Sequence, residues 1–231
     1  TTTLVAQEAT EPAIGQAASP SPDAKPELTV TKIETELAAI EANSGIEDAV
    51  KDLLRSKYKR AIEALSQAEA NLAIASELRS TIQTAPAAST QLREQLKSLP
   101  SAENAAQVTT SGTAEDLQKD LDSRQAALEA LNEELSKITA ELTRVKGRPV
   151  EVSDRLPEAQ RKLAEIVEQL ARPELAEDTA SPGRTADRIL LEAQQRRLLG
   201  ELDMLKQEQA SLSLREDLLR AQQDLLQRQV E

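Results

Sequence analysis

Leucine recurs every seven residues near the C-terminus, at Leu191, Leu198, Leu205, Leu212, Leu219 and Leu226. Seven residues make about two helical turns, so these side chains line one stripe of ~50 Å at ~1.5 Å per residue. The companion positions Gln195, Leu202, Gln209, Glu216 and Gln223 are more polar than a two-stranded zipper requires, while Leu190, Leu199, Leu214, Leu218 and Leu225 widen the apolar face. A face that broad predicts packing against two helices of the same chain in preference to a parallel leucine zipper. The pattern starts near Thr185 and is still amphipathic at Glu231, which raises the expectation that the sequence is part of something longer.

The same rhythm runs upstream. Ile33, Leu37 and Ile40 predict a short helix over 29–43, capped by Thr31 with Glu34 or by Thr29, and stopped at Asn43-Ser44-Gly45. Leu54, Tyr58, Ala61, Leu65, Ala68, Leu72, Ala75 and Ile82 alternate three- and four-residue steps and predict a long helix over 46–84. Pro86 is expected to end it, since the residue before a proline is pushed out of the helical region. Residues 86–112 then read as a joint with one short amphipathic piece, Leu92, Leu96 and Leu99, stopped by Pro100.

Thr113 is the predicted N-cap of a third helix over 114–146, with Asp116 three residues on. Its seam is Leu117, Leu121, Leu128, Leu131, Leu135, Ile138, Leu142 and Val145, interrupted by Arg124. Gly147-Arg148-Pro149 is expected to break the helix and return a fourth one, to about Arg172, presenting Leu156, Leu163, Ile166 and Leu170. The candidate packing residues are therefore Leu128, Leu131, Leu135, Ile138, Leu142, Leu163 and Leu170 together with the six stripe leucines.

The expected organisation is a Pro/Ala/Ser-rich disordered tail (1–28), a long helix with its joint (29–112), a helical hairpin (113–172), a linker (173–184) and a long amphipathic helix (185–231). The fold class is all-α: extended antiparallel helical hairpins in a coiled-coil-like bundle.

Composition narrows the function. The 231 residues include no Cys, His, Trp or Phe, one Tyr (Tyr58) and one Met (Met204), so a thick aromatic core is not available. Without His or Cys there is no Ser-His dyad, thiolate nucleophile or imidazole zinc site, and the carboxylates are scattered over helix faces. The expectation is a protein that is not an enzyme and needs no cofactor or metal. A net charge of −12 argues against nucleic acid as a partner. The one basic cluster, Arg55, Lys57, Lys59 and Arg60, is a candidate contact for anionic lipid or a partner, set against the plainer reading of a solvated helix face. No stretch approaches the ~20 apolar residues of a membrane span.

Three stretches carry a resemblance. Ile62–Pro86 ends in Leu-Arg-Ser-Thr-Ile-Gln-Thr-Ala-Pro; Leu142-Thr-Arg-Val-Lys-Gly-Arg-Pro149 leads through Leu156-Pro-Glu-Ala-Gln-Arg-Lys-Leu163; and Leu190-Leu-Glu-Ala-Gln-Gln-Arg-Arg-Leu-Leu199 continues to Leu225-Leu-Gln-Arg-Gln-Val230. In this order they resemble the N-terminal periplasmic helical domain, sometimes labelled a porin domain, of large mechanosensitive channels of the small-conductance superfamily, such as the potassium-dependent channel of Gram-negative bacteria. The resemblance covers roughly residues 45–231. It implies a periplasmic domain with a structural or modulatory role, attached to the inner membrane through segments not in this sequence. Its implied partners are other subunits or the membrane core of the same channel, and envelope components. It carries no catalytic or ligand residues. Two other classes fit the residues: a cytoplasmic coiled-coil scaffold, which expects longer unbroken heptads, and an envelope adaptor hairpin, which expects flanking β-rich segments.

Overall fold

The computed structural model of the protein describes residues 28–100, 113–176 and 181–231. Five helices appear there and no strand: α1 (Val30–Ala42), α2 (Asp48–Ser98), α3 (Ala114–Leu170), α4 (Pro173–Ala176) and α5 (Pro182–Val230). At ~1.5 Å per residue the three long helices span roughly 75–85 Å each, far beyond the diameter of a compact domain of this mass.

α5 is the shared spine. It packs along both α2 and α3, while direct contact between α2 and α3 is at most slight. Ion pairs fix the directions. Lys57, Arg79 and Arg93 of α2 meet Asp187, Asp203 and Asp217 of α5, so these two helices run parallel. Glu141, Arg148 and Arg155 of α3 meet Arg215, Glu208 and Glu201, so α3 returns antiparallel. The hairpin is thus α3 against α5, and α5 packs on two helices of the same chain, as its wide apolar face predicts.

Two core clusters lie along the spine. The first gathers Leu28 and Ile33 with Leu54, Tyr58, Ala61 and Leu65 of α2 and with Ala186, Ile189, Leu190 and Ala193 of α5. The second joins Ala75 of α2, Val152 and Ala159 of α3, and Leu198, Leu202, Met204 and Leu205 of α5.

Several predicted boundaries are corrected. Pro86 does not stop α2, which runs on to Ser98. A proline removes one ladder hydrogen bond and crowds the preceding turn, but Ala85 and Ser89 are buried beside it and hold both flanking turns in place. The predicted separate piece at Leu92, Leu96 and Leu99 is the end of α2 and its cap, and residues 101–112 of the expected joint lie outside the described residues. Gly147-Arg148-Pro149 does not turn the chain either, so the hairpin expected within 113–172 is one continuous helix through Pro149 and Pro157. Both prolines stand on the exposed side, while Val145 and Val152 are buried on either flank of Pro149. Packing on α5 therefore outweighs the local preference to break.

The caps follow the sequence more closely. The Thr113 hydroxyl and the Asp116 carboxylate exchange hydrogen bonds with each other's backbone, a complete capping box at the start of α3. Thr29, the second of the two candidates, caps α1 by accepting from the Lys32 amide. α5 starts three residues before the predicted Thr185, with Pro182 in its first turn, where a missing N–H costs nothing. The tail reading falls on residues 1–27, outside the described residues, and its last member, Leu28, belongs to the first core cluster.

Candidate functional site

The surface that this fold organises is the pair of seams along α5, and its geometry is set by charges spaced one heptad apart. Glu141, Arg148 and Arg155 follow one another every seven residues on α3, and Arg215, Glu208 and Glu201 step back by seven on α5. The distances are 3.1 Å for Arg215–Glu141, 2.6 Å for Arg148–Glu208 and 2.6 Å for Arg155–Glu201. Each pair sits beside the apolar seam, where flanking charges choose register and orientation in coiled coils. The sign reverses once along the ladder, from acidic Glu141 to basic Arg148, so a slip of one heptad would set like charges together.

The middle rung is the most enclosed. Arg148 grips Glu208 with two parallel hydrogen bonds, Nε to Oε1 at 2.7 Å and Nη2 to Oε2 at 2.6 Å, and also reaches Glu151. These carboxylates raise the Arg148 pKa, through the Glu208 hydrogen bond first. Glu141 is held below the usual carboxylate range, first by its hydrogen bond to Arg144 and then by Arg215 across the seam. Three arginines, Arg144, Arg148 and Arg215, thus gather in a cleft of about 460 Å³ between α2 and α3. All three are engaged by carboxylates, so they neutralise one another's partners and do not form a free anion site.

On the parallel seam, small residues let the helices approach. Gly200 of α5 faces the backbone of Ala68, and a Cβ built there would lie 3.0 Å from the Ala68 carbonyl oxygen. Arg79–Asp203 and Arg93–Asp217 flank this seam at a two-heptad interval. The Arg79 hydrogen bond is the first cause of a lowered Asp203 pKa. Tyr58 is almost fully buried and donates to Glu36 of α1 at 3.3 Å, and burial followed by the Glu36 charge pushes its pKa up to about 12.

The candidate packing residues fall unevenly. Leu142, Leu198, Leu205, Leu212 and Leu226 are buried; Leu131, Leu135, Ile138, Leu163, Leu170, Leu191 and Leu219 are half-buried; Leu128 is exposed. Of the basic cluster, Arg55 is tied to Glu41 and Asp52, Lys57 to Asp187, and Lys59 and Arg60 are exposed. The ladder itself was open to sequence reading, because its charges recur at the same seven-residue interval as the leucines they flank. Gly200 gave no such signal. No group of His, Cys, Asp or Glu suited to a metal occurs among the described residues, and no helix there is long and apolar enough to cross a membrane.

The family model described as "Mechanosensitive ion channel porin domain" matches residues 36–231 of this chain. Neither a curated protein nor a solved structure matches it.

Proposed function

This chain belongs to the mechanosensitive ion channel porin domain family, and from that premise we propose that it is a periplasmic, non-catalytic helical domain that braces a mechanosensitive channel and biases its gating. The family is a channel accessory family and not an enzyme family. The observation that carries the proposal is the span of the match, which takes in α2, α3 and α5 whole. Despite the label of that family, the described residues form no strand, and a membrane β-barrel is built from alternating strands.

A thin layer of three helices, each roughly 75–85 Å long, suits a brace. Its seams hold register by ion pairs, so a displacement at one end is carried to the other without slippage between helices. The acidic outer faces, part of a net charge of −12, keep such a layer solvated. Partners in this reading are other subunits or the membrane core of the same channel, reached through segments outside this sequence, and envelope components.

Two measurements test the proposal. Alkaline phosphatase fused after residue 231 in the native gene product should be active, since the enzyme matures only after export; an inactive fusion places the domain in the cytoplasm and overturns the location. Patch recordings of the native channel with and without residues 36–231 should show a shifted tension threshold at unchanged unitary conductance. A changed unitary conductance would put the domain in the conduction path and contradict a bracing role.

A further inference from the structure

The seam of α3 continues in phase beyond the helix that covers it. α5 reaches Val230, and the hydrogen bond from Gln223 to Thr139 places that last turn near Asn132 of α3. Pro100, just past α2, accepts from Arg228 at the same level. Among the described residues, α3 from Asn132 back to Ala114 therefore projects as an uncovered arm of roughly 27 Å. Every residue from Thr113 to Ala130 is exposed, including Leu117 at 41%, Leu121 at 56% and Leu128 at 42%. These leucines hold the three-and-four spacing that Leu142, Val145 and Val152 follow where α5 buries them.

We propose that this arm is a docking surface for an amphipathic helix of a partner protein, one that runs antiparallel to α3 in line with α5 and carries Lys or Arg beside its apolar stripe. Two observations choose the occupant. One is continuity with an existing interface, since the same seam already takes a helix in that orientation. The other is charge. The flanking position that supplies Glu141 to the ladder is occupied further out by Glu134 and Asp120, and between Ala114 and Ala140 seven carboxylates stand against three basic side chains. At the Glu141 rung an acidic flank takes an arginine, Arg215, and the arm asks for the same.

Other occupants fit less well. A second copy of the arm laid antiparallel would set Asp120 against Glu134 and bring two copies of Arg124 into the stripe; Arg124 is held back to its own helix by Asp120 at 2.8 Å. Anionic lipid headgroups meet the same acidic flank. The connecting residues 101–112 offer one large apolar side chain, Val108, and cannot supply a matching stripe.

The test uses the full chain and a fluorescent peptide about three heptads long with leucine at both seam positions and arginine on the flank, beside a twin with glutamate on the flank. The arginine peptide should bind at least about tenfold more tightly, a preference that Asp120→Lys with Glu134→Lys reverses and Leu121→Ser with Leu128→Ser abolishes. All four sites are exposed, and circular dichroism confirms that the variants keep their helix content. Equal binding of both peptides, or of neither, overturns the proposal. So does self-association of the chain that Leu121→Ser removes, which assigns the arm to a second copy, and so does binding to phosphatidylglycerol vesicles that the same variant removes.

Discussion

Arg148 of α3 and Glu208 of α5, sixty residues apart in sequence, are joined by two hydrogen bonds of 2.7 and 2.6 Å, with Glu208 only 8% exposed. The two residues do not depend on each other equally. Arg148 has a second carboxylate in Glu151, whereas Glu208 bridges no other cation among the described residues. Arg148→Ala should therefore cost about 2–3 kcal/mol by leaving a carboxylate buried without its partner, and Glu208→Ala should cost less. Urea denaturation of both single variants and the double variant checks this, and equal costs would mean that Glu208 finds water when Arg148 is gone.

Two glycines make a matched pair in opposite senses. Gly200→Ala brings a methyl within 3.0 Å of the Ala68 carbonyl and should destabilise by about 1–3 kcal/mol, despite the better helix propensity of alanine. Gly147→Ala meets nothing within 4 Å and should gain up to about 1 kcal/mol. Thermal melts of the two variants should shift in opposite directions.

Burial also separates leucines that look alike in the sequence. Leu205→Ala, at a side chain with no exposure, should cost about 2–5 kcal/mol. Leu128→Ala, at an exposed one, should change the unfolding midpoint of the isolated chain by less than about 0.5 kcal/mol.

Tyr58 makes the chain a reporter of its own alkaline stability. Its pKa lies higher folded, at about 12, than the ~10 of an unfolded tyrosine, so folding favours the neutral phenol. That contribution is complete below pH ~10 and is lost as pH rises through the folded value, roughly 3 kcal/mol in all. Because Tyr58 is the single tyrosine and no tryptophan is present, tyrosinate absorbance reads it directly. A midpoint near 10 would show the ring exposed, and Tyr58→Phe should remove this part of the alkaline loss. On the acid side the sign reverses. Glu141 and Asp203 are held below their usual values, so their share of stability is present above pH ~4.5 and falls as pH drops through the folded values.

The sequence made the all-α class, the long helices and the N-cap at Thr113 legible, because periodicity and capping are local properties. It misplaced two turns. Pro86 and Gly147-Arg148-Pro149 carry strong local breaking signals, and both lie inside continuous helices because α5 buries Ala85 and Ser89 near one and Val145 and Val152 around the other. That gain comes from side chains on another helix, far away in sequence, and has no local trace. The same error hid the true hairpin, since a turn expected at Pro149 folds α3 on itself instead of on α5. The charge ladder lay in plain view at heptad spacing, yet it acquires meaning only once α3 and α5 are known to run antiparallel. Gly200 marks a close approach that depends on Ala68, a residue on another helix, and no pattern along the chain announces it.

The central claim is that α5 is one spine with α2 parallel on one side and α3 antiparallel on the other. The cysteine-free sequence permits a direct measurement by paired cysteines and a short bismaleimide. Thr139→Cys with Gln223→Cys tests the antiparallel seam, and Arg93→Cys with Asp217→Cys tests the parallel one. Both pairs should link within single chains, while Thr139→Cys with Asp187→Cys should stay unlinked. Linkage of that mismatched pair, or linkage of the matched pairs only between chains, would contradict the spine.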